Sequence, residues 1–106
     1  MMGSARRPTP ARLAEKLLQV RLRLGLSQSQ MLKLLGNTNT RLHAPHISGY
    51  ESGKREPPLV VLLQYARAAG VPVEVLIDDE QDLPEHLPAS ATIWEMKGGR
   101  LKIRRR

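Results

Sequence analysis

Two histidines are the side chains whose spacing first suggests chemistry. His43 and His46 lie three residues apart, a separation that on a helix would bring two imidazoles to one face, where they could share a metal ion. The chain contains no Cys, and no nearby carboxylate completes a set of ligands. Histidines on the surface or facing a binding groove are therefore the favoured interpretation, and neither a metal nor another cofactor is predicted.

The carboxylates form a second cluster, at Asp78, Asp79, Glu80 and Asp82. This run lacks the glycine and the spaced ligands of a calcium-binding loop. The glycines of the chain are scattered and form no phosphate-binding loop, and no nucleophile is paired with a base. The sequence therefore predicts that the protein is not an enzyme.

Charge is distributed unevenly along the 106 residues. Residues 1–58 carry ten basic and three acidic side chains, residues 59–91 carry one and six, and residues 92–106 carry six and one. A basic half and a basic tail around an acidic segment indicate a polyanion partner on one face. The alternative is that surface Lys and Arg only keep the protein in solution.

Two short helices must position these side chains. Ser27 is a good N-cap, and Gln30 three residues later completes a capping box, which predicts a helix from Gln28 to Leu35 that stops at Gly36. A second helix should begin near Ala44–Pro45, since Pro fits only a first turn, and should end at Gly53. Helices this short are unstable alone, so a scaffold must display them.

Three further helices are expected to supply that scaffold. The first should start at Thr9–Pro10, with Thr9 as N-cap, and stop at Gly25, leaving Arg12, Lys16 and Arg23 free to face water or phosphate. The other two should run from Leu59 to Gly70 and from Val71 to Ile77. Helical periodicity then assigns to the core Leu13, Leu17, Val20 and Leu24, followed by Leu59, Leu62, Leu63, Ala66 and Ala69.

Three sequence blocks carry a resemblance to a known family. They read Gly-Leu-Ser-Gln, then Ile-Ser-x-Tyr-Glu-x-Gly-Lys-Arg-x-Pro, then Leu-x-x-Ala-x-Ala-x-Gly-Val. In this order they resemble the helix-turn-helix domain of lambda-repressor and Cro-type (XRE-like) regulators, over residues 13–77. The resemblance implies an all-α, compact five-helix lambda-repressor-like domain. It also implies a transcriptional regulator, such as a repressor, that binds double-stranded operator DNA as a homodimer.

The resemblance also assigns contacts residue by residue. Gln28 falls where the family contacts phosphate, and Ala44, Pro45 and Gly49 fall on positions used for bases. Because Ala, Pro and Gly offer no side-chain hydrogen bond, neighbouring residues would have to make the hydrogen bonds to the bases. The expected DNA-binding residues are then Gln28, Asn39, Arg41, His43, Ala44, His46, Ser48, Gly49, Lys54 and Arg55, with Arg6 and Arg7 as further phosphate contacts. Arg21 and Glu51 are expected to form a structural ion pair.

Residues 37–41 depart from the family pattern, which passes more directly between the two helices. They are polar and turn-prone. One interpretation is a tolerated surface insertion, since loops lengthen at little cost. The other is that Asn39 and Arg41 add DNA contacts.

The ends of the chain complete the predicted organisation. Residues 1–8 form a flexible basic arm, residues 9–77 the helix-turn-helix domain and residues 78–90 an acidic, Pro-containing linker. Residues 91–106 alternate around Gly98–Gly99 and form either a small β-hairpin or a disordered basic tail. A second functional hypothesis is an antitoxin or adaptor that binds a protein partner through residues 91–106. No apolar run approaches the ~20 residues that cross a bilayer, so a cytoplasmic protein without membrane partners is expected.

Overall fold

The computed structural model describes residues 9–36 and 41–88, and the backbones of residues 93–97 and 100–104. The elements within these ranges are α1 (Leu13–Leu24), α2 (Gln28–Leu35), α3 (Ala44–Ser52), α4 (Leu59–Ala69), α5 (Val73–Ile77), β1 (Ile93–Lys97) and β2 (Arg100–Arg104). The predicted arm, including Arg6 and Arg7, and Asn39 of the insertion lie outside the described residues.

One apolar core joins the five described helices. α1 packs against α3, α4 and α5, and α2 packs against α3 and α4. The chain contains no Phe, so aliphatic side chains and two tyrosines fill the interior. The largest fully buried side chains are Tyr65, Leu17, Met31, Leu35, Ile47 and Leu76. The prediction of an all-α, five-helix domain is confirmed.

Local sequence signals set the ends of α2 and α3. The Ser27 hydroxyl accepts a hydrogen bond from the Gln30 backbone N–H at 3.1 Å, and the Gln30 side chain accepts one from the Ser27 N–H at 2.9 Å. This is the predicted capping box. Gly53 ends α3 with a φ of 81°, a left-handed conformation that glycine adopts without steric cost.

The predicted start of α1 at Thr9–Pro10 is wrong. The helix begins at Leu13, and its N-cap residue, Arg12, makes no capping hydrogen bond with its own side chain. Instead the carboxylate of Asp79 accepts hydrogen bonds from the backbone N–H groups of Ala11, at 2.9 Å, and Arg12, at 3.0 Å. The carboxylate of Asp79, which is distant in the sequence, therefore accepts the hydrogen bonds at the start of α1 that the Thr9 side chain was expected to accept.

The predicted core face of α4 is wrong at two positions. Leu62, Ala66 and Ala69 are buried as expected, whereas Leu59 and Leu63 are exposed. The helix is apolar around its whole N-terminal half, so periodicity could not choose the buried side. The inward face instead uses Val61, Leu62, Tyr65, Ala66, Ala68 and Ala69.

Of the two alternatives for the C-terminal segment, the structure has the hairpin. β1 and β2 pair antiparallel, with Trp94 opposite Ile103 and Met96 opposite Leu101. Apolar residues are thus paired with apolar residues across the strands, which favours this register. The Cα atoms of β2 come within 8 Å of α2, so the hairpin lies beside the domain.

Candidate nucleic-acid interface

The N-terminal end of α3 is organised by its two histidines. Nδ1 of His46 accepts a hydrogen bond from the His43 backbone N–H at 2.8 Å, and the His46 ring stacks on Tyr50 with centroids 6.4 Å apart. His46 is half-buried and His43 is exposed. Because Nδ1 of His46 accepts, the proton of its neutral imidazole lies on Nε2, the atom left for an outside partner.

The outward face of α3 carries small side chains. Ala44, Pro45 and Ser48 are exposed, while Ile47 and Tyr50 point into the core. A helix with such a face allows its backbone to approach a partner closely, but it offers few side-chain hydrogen bonds. Of these three exposed residues, only Ser48 brings a hydroxyl.

Gly49 does not fit the expectation that it contacts bases, because it is buried. The aliphatic part of Arg55 lies against it, and a Cβ at position 49 would stand 2.8 Å from Cδ of Arg55. The Arg55 backbone N–H also donates to the Gly49 carbonyl at 3.1 Å. The absence of a side chain at Gly49 therefore allows the Arg55 side chain to pack against α3. The spacing of residues in the sequence does not reveal this role.

Lys54 and Arg55 form an exposed basic corner directly after α3. Burial raises the pKa of the Tyr50 phenol, and the positive charge of Arg55 opposes that rise, which places Arg55 near the C-terminal half of α3. An open groove of about 640 Å³ separates this corner from Thr9 and Pro10. Thr9 and Pro10 therefore line the same groove as the basic corner.

An ion pair fixes α3 to α1. Nε of Arg21 lies 2.6 Å from Oε2 of Glu51, and Nη2 of Arg21 lies 3.1 Å from Oε1, with both side chains largely buried. Arg21 also donates to the Leu26 carbonyl at 2.9 Å, and the Gln28 amide donates to Glu51 at 3.0 Å. Gln28 is thus half-buried in this network, and only part of its amide is left for phosphate.

Tyr65 lies fully buried in the core. Burial first, and then the negative charge of Glu51, raise the pKa of its phenol. Among the described residues, its hydroxyl has no hydrogen-bond partner. The core of the described helices therefore contains a buried hydroxyl that has lost its hydration without gaining a hydrogen bond.

The expectation that Arg12, Lys16 and Arg23 are free to face water or phosphate is wrong for Lys16, which is buried; Arg12 and Arg23 keep solvent-exposed surface but donate hydrogen bonds within the molecule. Residues 78–84, here called the acidic clasp, lie along α1 and occupy all three. Lys16 is buried, and its Nζ donates to the carbonyls of Val75, Asp78 and Gln81 at 2.8, 2.9 and 2.7 Å. Arg12 donates to the Asp79 carbonyl and pairs with Asp82, and Arg23 donates to the Pro84 carbonyl.

Because residues of the acidic clasp bind the cations of α1, only cations elsewhere on the described domain are available to a partner. Burial lowers the pKa of Lys16, and backbone hydrogen bonds lower that of Asp79. The exposed cations that remain on the described helices and turns are Lys33, Arg41, Lys54, Arg55 and Arg67. Four of these five belong to α2, to α3 or to the segments that flank α3.

The family described as Helix-turn-helix matches residues 17–76, more than half of the chain. No curated protein and no solved structure matches the chain. Within the described residues, no group of His, Asp and Glu could hold a metal ion. None of the helices described here combines the length and apolar character needed to cross a membrane.

Proposed function

Because this chain belongs to the Cro/C1-type helix-turn-helix family of DNA-binding transcription regulators, we propose that it binds operator DNA as a homodimer, with α3 in the major groove. Each copy would contact one half-site, and two-fold symmetry would match a palindromic operator. A regulator of this bacterial or phage type would act in the cytoplasm.

One observation supports this proposal most strongly. The basic corner of Lys54 and Arg55 is exposed at the end of α3, while the acidic clasp lies against α1. The Asp82 carboxylate and the backbone carbonyls of residues 75–84 therefore occupy the cations of α1, whereas Lys54 and Arg55 stay exposed beside α3. Phosphate contacts from such a corner would position the protein and make its affinity depend on salt.

Base reading would depend on few groups. Nε2–H of His46 is a donor suited to the acceptors of guanine or to O4 of thymine, and Ser48 can pair with several bases. Ala44 and Pro45 could touch a thymine methyl group. His43 is exposed beside them, and Arg41 is exposed before α3. With so few donors, discrimination between sequences should be modest and phosphate contacts should dominate the affinity.

The test uses a duplex of about one helical turn, which has room for one copy and removes any contribution of dimerisation. Fluorescence anisotropy would give the dissociation constant from 50 to 200 mM salt, on the scale where phosphate contacts show. Arg55→Gln should weaken binding and lower the slope of log K against log salt by about 1. Arg67→Gln, an equally exposed arginine on α4, is the matched control and should change neither value.

A second candidate function is an antitoxin or adaptor that binds a protein through residues 91–106. It is supported by the small side chains on α3 and by the two-stranded hairpin, both edges of which could pair with another chain. Selection from a random duplex library separates the two. Enrichment of a palindromic site would favour the regulator, and equal recovery of all sequences would favour the adaptor.

A further inference from the structure

The register of the β1–β2 hairpin separates its charged residues from its apolar ones. Residues paired across two antiparallel strands share a face, and successive residues along a strand alternate between the two faces. The pairs Trp94–Ile103 and Met96–Leu101 therefore share one face, which is wholly apolar. The pairs that alternate with them form the opposite face, here called the ribbon face, which comprises Ile93, Glu95, Lys97, Arg100, Lys102 and Arg104.

The ribbon face carries four cations and a single carboxylate. Arg100, Lys102 and Arg104 take alternate positions on β2, so their backbones stand about 6.8 Å apart along the strand. Lys97 is paired with Arg100 at the end of the hairpin nearest the turn, and Glu95 is paired with Lys102. A row of evenly spaced positive charges is complementary to a polyanion with evenly spaced negative charges, such as the phosphates of a nucleic acid.

The position of the hairpin favours DNA as that polyanion. A two-stranded hairpin is marginal alone and needs another element beside it. The Cα atoms of β2 come within 8 Å of those of α2. In a helix-turn-helix, the helix in the place of α2 crosses the DNA backbone, and α2 exposes Lys33. The strand that bears three of the four cations therefore runs beside the helix that meets the phosphates, whereas an acidic peptide would match the charge alone.

We propose that the hairpin is a second DNA-binding element, whose ribbon face contacts phosphates of the same duplex beside the half-site that α3 occupies. This inference rests on the proposed function, to which it adds a separate contact surface. Contacts to phosphate raise affinity and its salt dependence but carry no sequence information. The hairpin would therefore supply affinity that the small side chains on the outward face of α3 do not.

The salt dependence of duplex binding by the full chain tests the proposal. A duplex of about one and a half helical turns leaves half a turn beyond a single half-site. Arg100→Gln, Lys102→Gln and Arg104→Gln together should lower the slope of log K against log salt by about 2–3, since each phosphate contact contributes about 0.9. The matched control, Arg100→Lys with Lys102→Arg and Arg104→Lys, keeps every charge and should keep the natural slope. A natural slope in the glutamine variant would overturn the proposal.

An exchange of two neighbouring residues tests whether the ribbon face itself is needed. Leu101→Lys combined with Lys102→Leu keeps the composition and charge of the segment but moves one cation to the apolar face. The slope should fall by about 1 or more, because at least one phosphate contact is lost. A natural slope in the exchanged variant would mean that the charge of the segment binds DNA without the paired strands, and would refute the role of the hairpin.

Arg55→Gln on the same duplex separates this inference from the proposed function. A slope reduced in Arg55→Gln but natural in the glutamine variant of the hairpin would refute the hairpin contact and leave α3 on the DNA. The reverse result would uphold the hairpin contact and refute the placement of the basic corner. Natural slopes in both variants would refute both.

Discussion

The carboxylate of Asp79 accepts a hydrogen bond from the backbone N–H of Arg12, 67 residues earlier in the chain. In return, the Arg12 side chain donates a hydrogen bond to the Asp79 carbonyl at 2.8 Å. This reciprocal contact ties the acidic clasp to the start of α1. Residues 78–84, which composition assigns to a linker, therefore pack against the helical domain.

Asp79→Asn should lower the melting temperature by a few degrees at neutral pH, because the cap of α1 is weakened. The folded protein holds the pKa of Asp79 below its unfolded value of about 3.9 through the N–H groups of Ala11 and Arg12. Its stabilisation is then present above that pH and is lost as the pH falls through the folded pKa. Thermal unfolding monitored by circular dichroism from pH 7 to pH 2 should show the two proteins converging in acid. Glu80→Gln, a neighbouring exposed carboxylate, should not show this convergence.

Arg21→Met and Glu51→Gln should each lower the free energy of unfolding by about 3–5 kcal/mol, since each leaves its partner largely buried and unpaired. The double variant should lose less than the sum of the two. Urea unfolding of all four proteins gives the coupling energy. Additive losses would show that the ion pair does not join α1 to α3. Glu74→Gln on α5, which is exposed, should stay within about 0.5 kcal/mol of the natural chain.

Tyr65→Phe should leave the free energy of unfolding unchanged or raise it by about 1 kcal/mol. The substitution removes a hydroxyl that is buried without a partner among the described residues and keeps the ring. Tyr65→Leu, which also removes part of the ring, should instead lower stability by about 1–3 kcal/mol. A clear loss on Tyr65→Phe, measured by the same urea titration, would mean that the hydroxyl is bonded in solution.

Gly49→Ala should weaken binding to the one-turn duplex, although residue 49 itself is buried. The added Cβ would stand 2.8 Å from Cδ of Arg55 and force that side chain out of its position. The salt dependence should fall toward that of Arg55→Gln, by about one contact. In an Arg55→Gln background the alanine should have little further effect on binding. An equal loss in both backgrounds would show that Gly49 acts without Arg55.

The sequence predicts the local features of this fold and misses the distant ones. The capping box at Ser27 and Gln30 involves residues three apart, so their order alone reveals it. The contacts of Lys16 join residues 59 to 65 positions apart, and no periodicity reports them. On α4, five consecutive apolar residues hide which side is buried, and the choice is made by the helices that pack against it.

The same distinction holds for the candidate site. Two basic residues after a helix-ending glycine predict a polyanion-binding corner. In the structure both residues, Lys54 and Arg55, are exposed. The burial of Gly49 under Arg55 depends on a turn that folds back on α3, which residue types do not encode. The assignment of Gln28 to phosphate likewise could not anticipate its hydrogen bond to Glu51.

The most direct test of the central claim, that α3 and the basic corner meet duplex DNA, is a backbone amide NMR titration of the full chain with the one-turn duplex. The account predicts the largest chemical-shift changes at His43, His46, Ser48, Lys54 and Arg55, and little change along the acidic clasp. Changes concentrated on the clasp and the exposed side of α1, with α3 unaffected, would contradict it.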